Sequence, residues 1–129
     1  MPFDWSDLIE LAGLLEQQAA SGQFAEALLR SAVNRAYFGA FGYANQYAVQ
    51  FLQYRPHDDP DEHGRLREHL RRRKRKGTAD RLNVLRVWRN HADYMDVLPW
   101  SDVSATAADA VRNARELLVT LPPPQPRKS

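Results

Sequence analysis

The sequence predicts an all-α fold, a bundle of four to five helices that includes one strongly basic helix or arm. Three observations carry this expectation. Apolar residues recur three and four positions apart through most of the chain, the period of one face of an α-helix. No run alternates apolar and polar residues as a half-buried strand would, and no internal repeat is visible. Helix-breaking clusters divide the pattern into segments of helical length: Ser21-Gly22, the RPHDDPD stretch at 55–61, Gly77-Thr78 and Pro99.

The first helix is expected to open at Asp4 or Ser6 as N-cap and to run to about Ala20, with Leu8, Leu11, Leu15 and Ala19 inward. The second, from about Phe24 to Leu52, is the longest. Leu29, Ala32, Val33, Ala36, Tyr37, Ala40, Tyr43, Ala44, Tyr47 and Phe51 form one broad stripe, widened by Phe38, Phe41 and Ala48. A helix this apolar is central. Gly39 and Gly42 each cost about 1 kcal/mol relative to Ala, so another helix should approach closely there, within the chain or across a dimer. A third helix should span 62–76 with Leu66 and Leu70 as its apolar pair. Thr78 or Asp80 should cap a fourth, reaching about Val97 with Leu82, Leu85, Trp88, Ala92 and Met95 inward. A fifth should start at Ser101 or Asp102, burying Val103, Ala107, Ala110, Val111, Ala114, Leu117, Leu118 and Leu121. The expected organisation is one helical domain over 1–121 and a solvated, disordered tail, PPPQPRKS, over 122–129.

Composition narrows the function classes. With 129 residues, 43% hydrophobic and 26% charged, the chain suits one soluble domain with a real core. The absence of cysteine removes disulfide frameworks and thiolate metal sites. The opening MPFDWSDLIELAGLLEQQ lacks the basic start of a secretory signal, and no stretch has the roughly 18 apolar residues of a membrane span. A cytoplasmic protein without membrane contact is therefore expected.

A net charge of +2 conceals a strong asymmetry. Between His63 and His91 stand eleven Arg or Lys and only Glu68 and Asp80 as acids, so this segment carries about +9 and the rest about −7. Its densest part is RRRKRK: Arg71, Arg72, Arg73, Lys74, Arg75 and Lys76. Basic residues favour a helix C-terminus, but six in a row exceed what capping uses and repel one another without a polyanion. Contact with nucleic-acid phosphates is the leading expectation, and a solvated arm the alternative. The histidines at 57, 63, 69 and 91 lack the HExxH spacing of a zinc site, and HDDPD lacks the EF-hand pattern. The 57–63 region therefore reads as a polar loop, with neither metal nor other cofactor expected.

The stretch RVWRNHADY, 86–94, is unusually polar for an amphipathic helix. At about 100° per residue, Arg86, Arg89, Asn90 and Asp93 share one face, and Arg89 and Asp93 are spaced for an ion pair. His91 lies about 140° from Arg86 on the same wheel, so the two meet only through a distorted helix or across a twofold axis. Chemically, an arginine and a histidine suffice to cleave RNA without a metal. Imidazole moves the proton of the 2′-hydroxyl or of the leaving oxygen, and guanidinium clamps the phosphate. The structural alternative is a buried Arg–Asp–Tyr network with His91 half exposed. Arg35, mid-helix beside Ala36 and Tyr37, is expected either to pair structurally, with Asp93 as its mate, or to join a cleft beside Arg86 or Arg89. Tyr37, Tyr43 and Tyr47 are expected in the core or a dimer interface rather than as base-stacking groups.

RSAVNRAYFGAFGYANQYA at 30–48, HGRL at 63–66 and VLRVWRNHADY at 84–94 resemble the HEPN (higher eukaryotes and prokaryotes nucleotide-binding) domain family. The likeness covers most of residues 5–120. It implies a helical bundle that commonly dimerises and, in many members, a metal-independent ribonuclease with an R-x(4–6)-H motif in a shared cleft. Such members occur as toxins paired with nucleotidyltransferase antitoxins and in other prokaryotic defence systems. Arg86 and His91 fit R-x4-H as the catalytic pair, His91 as general acid or base and Arg86 as phosphate clamp. Arg89 and Asn90 would orient the phosphate, and 71–76 would hold the RNA backbone. Two departures leave an alternative open. Val87 stands where active members have a polar residue, and Arg89, followed by Asn90, has no histidine at the required distance. Arg89, Asp93 and Tyr94 would then mark a non-catalytic module that binds RNA, a nucleotide or a nucleotidyltransferase partner. Tyr94 would also be a candidate modification site. A third class, a helical DNA-binding or scaffold protein using its basic arm, lacks a helix-turn-helix signature.

Overall fold

A computed structural model describes residues 2–20 and 22–121. Among them are five helices and no strand: α1 (Ser6–Ala19), α2 (Ala25–Phe51), α3 (Glu62–Arg72), α4 (Lys76–Tyr94) and α5 (Val103–Thr120). The expected tail at 122–129 lies outside the described residues. None of the helices is long and apolar enough to cross a membrane.

The central helix is α2, and its composition explains why. Ala32, Ala36, Ala40, Ala44 and Ala48 recur every fourth residue and are fully buried, a ridge of small side chains along which neighbours can approach. α1, α4 and α5 pack around it, and α3 lies mainly on α4. Ile9, Val33, Tyr37, Leu66, Leu70, Leu82, Leu85 and Leu117 fill the space between. The glycines of α2 meet α1 within the same chain. A Cβ on Gly39 would stand 2.7 Å from Ile9 Cγ1, and one on Gly42 would strike the Trp5 indole.

That approach corrects the expected face of α1. Because Ile9 seats on Gly39, the buried residues are Ile9, Ala12, Gly13 and Ala19, while Leu11 is 38% and Leu14 56% exposed. The small side of α1 faces the small side of α2, and bulky leucines do not fit there. Phe51 and Met95, expected inward, are exposed because each sits where its helix runs out.

The basic segment is a turn rather than a helix continuing to 76. The Arg75 N–H donates to the Leu70 carbonyl at 2.8 Å and the Lys74 N–H to Arg71 at 3.2 Å, with Lys74 left-handed at φ 62°. This is a Schellman stop, formed here without the usual glycine. α4 then starts directly at Lys76, so Gly77 lies in its first turn and Thr78 is buried in the helix rather than capping it. α5 begins as expected: Asp102 caps it, accepting from the Ala105 N–H at 2.9 Å.

Candidate functional site

Three helices bring cations and aromatic rings to one place. Tyr37, buried on α2, hydrogen-bonds through its hydroxyl to Nδ1 of His63 on the first turn of α3. The His63 ring stacks on Phe41 with centroids 4.2 Å apart and lies 5.6 Å from Tyr37. From α4, the Arg89 guanidinium lies 5.4 Å from the Tyr37 centroid and 5.1 Å from that of Phe38. Arg89 is only 13% exposed and pairs with Asp93 at 3.5 Å, while its buried Nε has no hydrogen-bond partner among the described residues. Arg86 stands one turn before Arg89, and Arg67 one turn after His63.

Arg67 and Arg86 are the chemically open members of this group. Among the described residues neither has an acidic partner within 4.0 Å. With His63 they line an open cavity of about 410 Å³ between α3 and α4. Arg65, also at this cavity, is committed to Asp59 at 2.6 Å.

Cations dominate the electrostatics around His63, although Asp61 and Glu68 also line the cavity, Glu68 being paired with Arg72 at 3.3 Å. Burial, then the cations Arg89, Arg86 and Arg67, hold the His63 imidazole below its ordinary value of 6.5, with Glu62 opposing them. His63 is therefore neutral at neutral pH. Burial raises the Tyr37 phenol to about 12 despite the same three arginines, so it stays protonated. Burial and the like charge of Arg86 lower Arg67. Two guanidiniums repel each other across a cavity and gain from any anion placed between them. A phosphodiester fits that need, with imidazole beside it for proton transfer. No group of three or more His, Asp or Glu among the described residues is arranged to hold a metal ion.

The residues expected to act together divide into two sets. Arg86 is in the cluster and Arg89 is its buried support, but His91 is not there. It lies around α4, where the Trp100 indole N–H donates to its Nδ1 at 3.2 Å. Arg86 and His91 thus do not meet within one chain, as the helical geometry implied. Asn90 is half-buried and does not line the cavity. Tyr94, at the end of α4, is 76% exposed. Arg35 is exposed and donates to Asn34 Oδ1 at 2.6 Å; Asn34 in turn donates to Asp93 at 2.9 Å. The expected Arg35–Asp93 pair is thus replaced by a link through an amide, because Arg35 points off the packed face.

The basic run is largely occupied by its own chain. Arg73 donates to the Leu52 carbonyl at 2.7 Å and to Gln53 at 2.6 Å, closing the end of α2 together with His69. Arg72 pairs with Glu68 at 3.3 Å and Lys76 with Asp80 at 2.6 Å, while Arg71 lies 3.9 Å from each of those acids. Arg75 donates to the Arg73 carbonyl at 3.0 Å. Lys74 alone has no side-chain partner among the described residues.

Sequence reasoning passed over two residues here, His63 as a site histidine and Arg67. Their i, i+4 spacing on one helix was the available signal. It also missed Arg30, which donates to the carbonyls of Ala92, Met95 and Asp96 and so closes the C-terminus of α4. No family model, curated protein or solved structure matches the chain. Function is therefore read from the side chains and their arrangement.

Proposed function

We propose that the protein is a HEPN-type, metal-independent endoribonuclease whose phosphate-binding groups are Arg67 and Arg86. The observation that carries this is the pair of guanidiniums with no carboxylate within 4.0 Å among the described residues, bordering one cavity with a neutral histidine. In the proposed reaction the 2′-oxygen attacks phosphorus, the bond to the 5′-oxygen breaks, and a 2′,3′-cyclic phosphate and a 5′-hydroxyl result. With Nδ1–H donating to the Tyr37 oxygen, His63 accepts the 2′-hydroxyl proton at Nε2 and returns it to the departing 5′-oxygen, while the arginines hold the non-bridging oxygens as their charge grows. Arg89 fixes the rings beneath His63. His91 reaches such a site only from a second copy across a twofold axis, which is the homodimeric form of the same proposal. A toxin or defence role, countered by a nucleotidyltransferase-type antitoxin, follows from the resemblance alone.

A second reading is favoured by a specific observation. His91 is bonded to Trp100 and apart from Arg86, which suits a module that binds RNA without cutting it. Incubating wild type with single-stranded RNA and EDTA, then analysing the ends, separates the two. Cyclic-phosphate ends are expected. Tight, salt-sensitive binding with the RNA left intact would replace the enzyme with the binding module.

A further inference from the structure

We infer that the aromatic cleft beside His63 is a subsite for one unpaired nucleobase of single-stranded RNA. This rests on the proposal that Arg67 and Arg86 hold an RNA phosphate. The cleft lies between Trp5, just before α1, the outer face of α2 and the segment leading into α3, and measures about 580 Å³, within the range of small-ligand sites. Trp5, Phe38, Phe41 and Val49 give it apolar walls, and Gln46 and Gln50 supply amides.

The aromatic walls are held in place. Gly42 exists to seat the Trp5 indole, since a Cβ there would strike its six-membered ring. Phe41 carries His63 on one face, and Arg89 lies over Phe38. Glu62, also at the cleft, accepts from Asn45 at 2.8 Å, from the Tyr54 hydroxyl at 2.6 Å and from the His57 N–H at 2.6 Å. Those three donors spread its charge and leave Asn45 half engaged. The Gln46 and Gln50 amides, by contrast, have no partner among the described residues. They offer both a donor and an acceptor to the edge of a heterocycle.

Position decides the class of ligand. His63 lines the cationic cavity and stacks on a wall of the apolar cleft, so the two sites adjoin through one imidazole. A flat ring with polar edges, joined by a short sugar to an anion, matches both sites at once. A duplex would keep its bases paired and out of reach.

The test compares two short 2′-O-methyl oligomers, which cannot be cleaved, by fluorescence anisotropy with the full-length chain. One carries bases and the other is the same backbone without them. Base-bearing RNA should bind wild type roughly tenfold more tightly, the effect of about one stacked base. Val49→Trp, at a 43% exposed position, should fill the cleft and erase that difference while leaving abasic binding unchanged. Equal, salt-sensitive binding of both oligomers to wild type would overturn the base subsite and keep the phosphate site. Binding of neither would overturn the phosphate reading, and the inference with it. Equal binding together with a changed sedimentation mass for Val49→Trp would contradict the base subsite and make the cleft a self-association face.

Discussion

His63 shares a hydrogen bond with the Tyr37 hydroxyl through Nδ1, stacks on Phe41 and faces three arginines, and each of these contacts bears on its proton. Because its folded-state pKa lies below the ordinary 6.5, the unfolded chain takes up a proton first as pH falls. Above 6.5 both states are neutral and the group has no effect. Between 6.5 and the lower folded value, stability should decline. His63→Gln, whose amide offers Tyr37 both a donor and an acceptor, should flatten that part of a urea-denaturation series against pH; an unchanged slope would refute the assignment. For the same reason the acid limb of kcat/KM should fall below pH 6.5. Tyr37→Phe removes a buried hydrogen bond and should cost about 1 kcal/mol by the same unfolding measurement. RVWRNHADY made Arg86, Arg89 and Asp93 legible, since one helix face groups them. It could not show that His63, more than twenty residues earlier, stands across from Arg86. That proximity is created by α3 folding back on α4, which no local spacing encodes.

At the scale of elements, the two sharpest departures from sequence expectation are both backbone devices. α3 ends because Lys74 adopts a left-handed conformation in a Schellman stop, at a residue type that carries no sign of it. Lys74→Gly should remove that strain and raise stability by about 0.5–1 kcal/mol in thermal unfolding; a lower Tm would argue against the turn. The face of α1 was misread because leucine spacing suggested one stripe, whereas Gly39 and Gly42 on α2 select the small-residue side instead. Gly42→Ala should destabilise by about 1–3 kcal/mol, since Trp5 would have to move. The glycines themselves were legible as a close approach. The limits of α2 and the Asp102 cap of α5 were legible too, because unbroken apolar periodicity and a single aspartate before it suffice for each.

Over the whole molecule, the charge asymmetry read from composition is distributed differently from the simple picture of a free basic arm. Arg71, Arg72, Arg73 and Lys76 spend their charge on Glu68, Asp80 and the end of α2, whereas Arg67 and Arg86 remain open. RNA affinity should therefore weaken steeply with salt. Arg67→Ala and Arg86→Ala should each lower the slope of log K against log salt by about 0.7–1, one phosphate contact apiece. Arg72→Ala should change it much less. The most direct single measurement is RNA cleavage in EDTA by wild type, Arg86→Ala, His63→Ala and His91→Ala, each first shown to be helical by circular dichroism. Cutting by wild type and His91→Ala, with losses on the order of 10²-fold or more in the Arg86 and His63 variants, is the predicted result. Full activity in His63→Ala, or its loss in His91→Ala alone, would contradict the site built on His63.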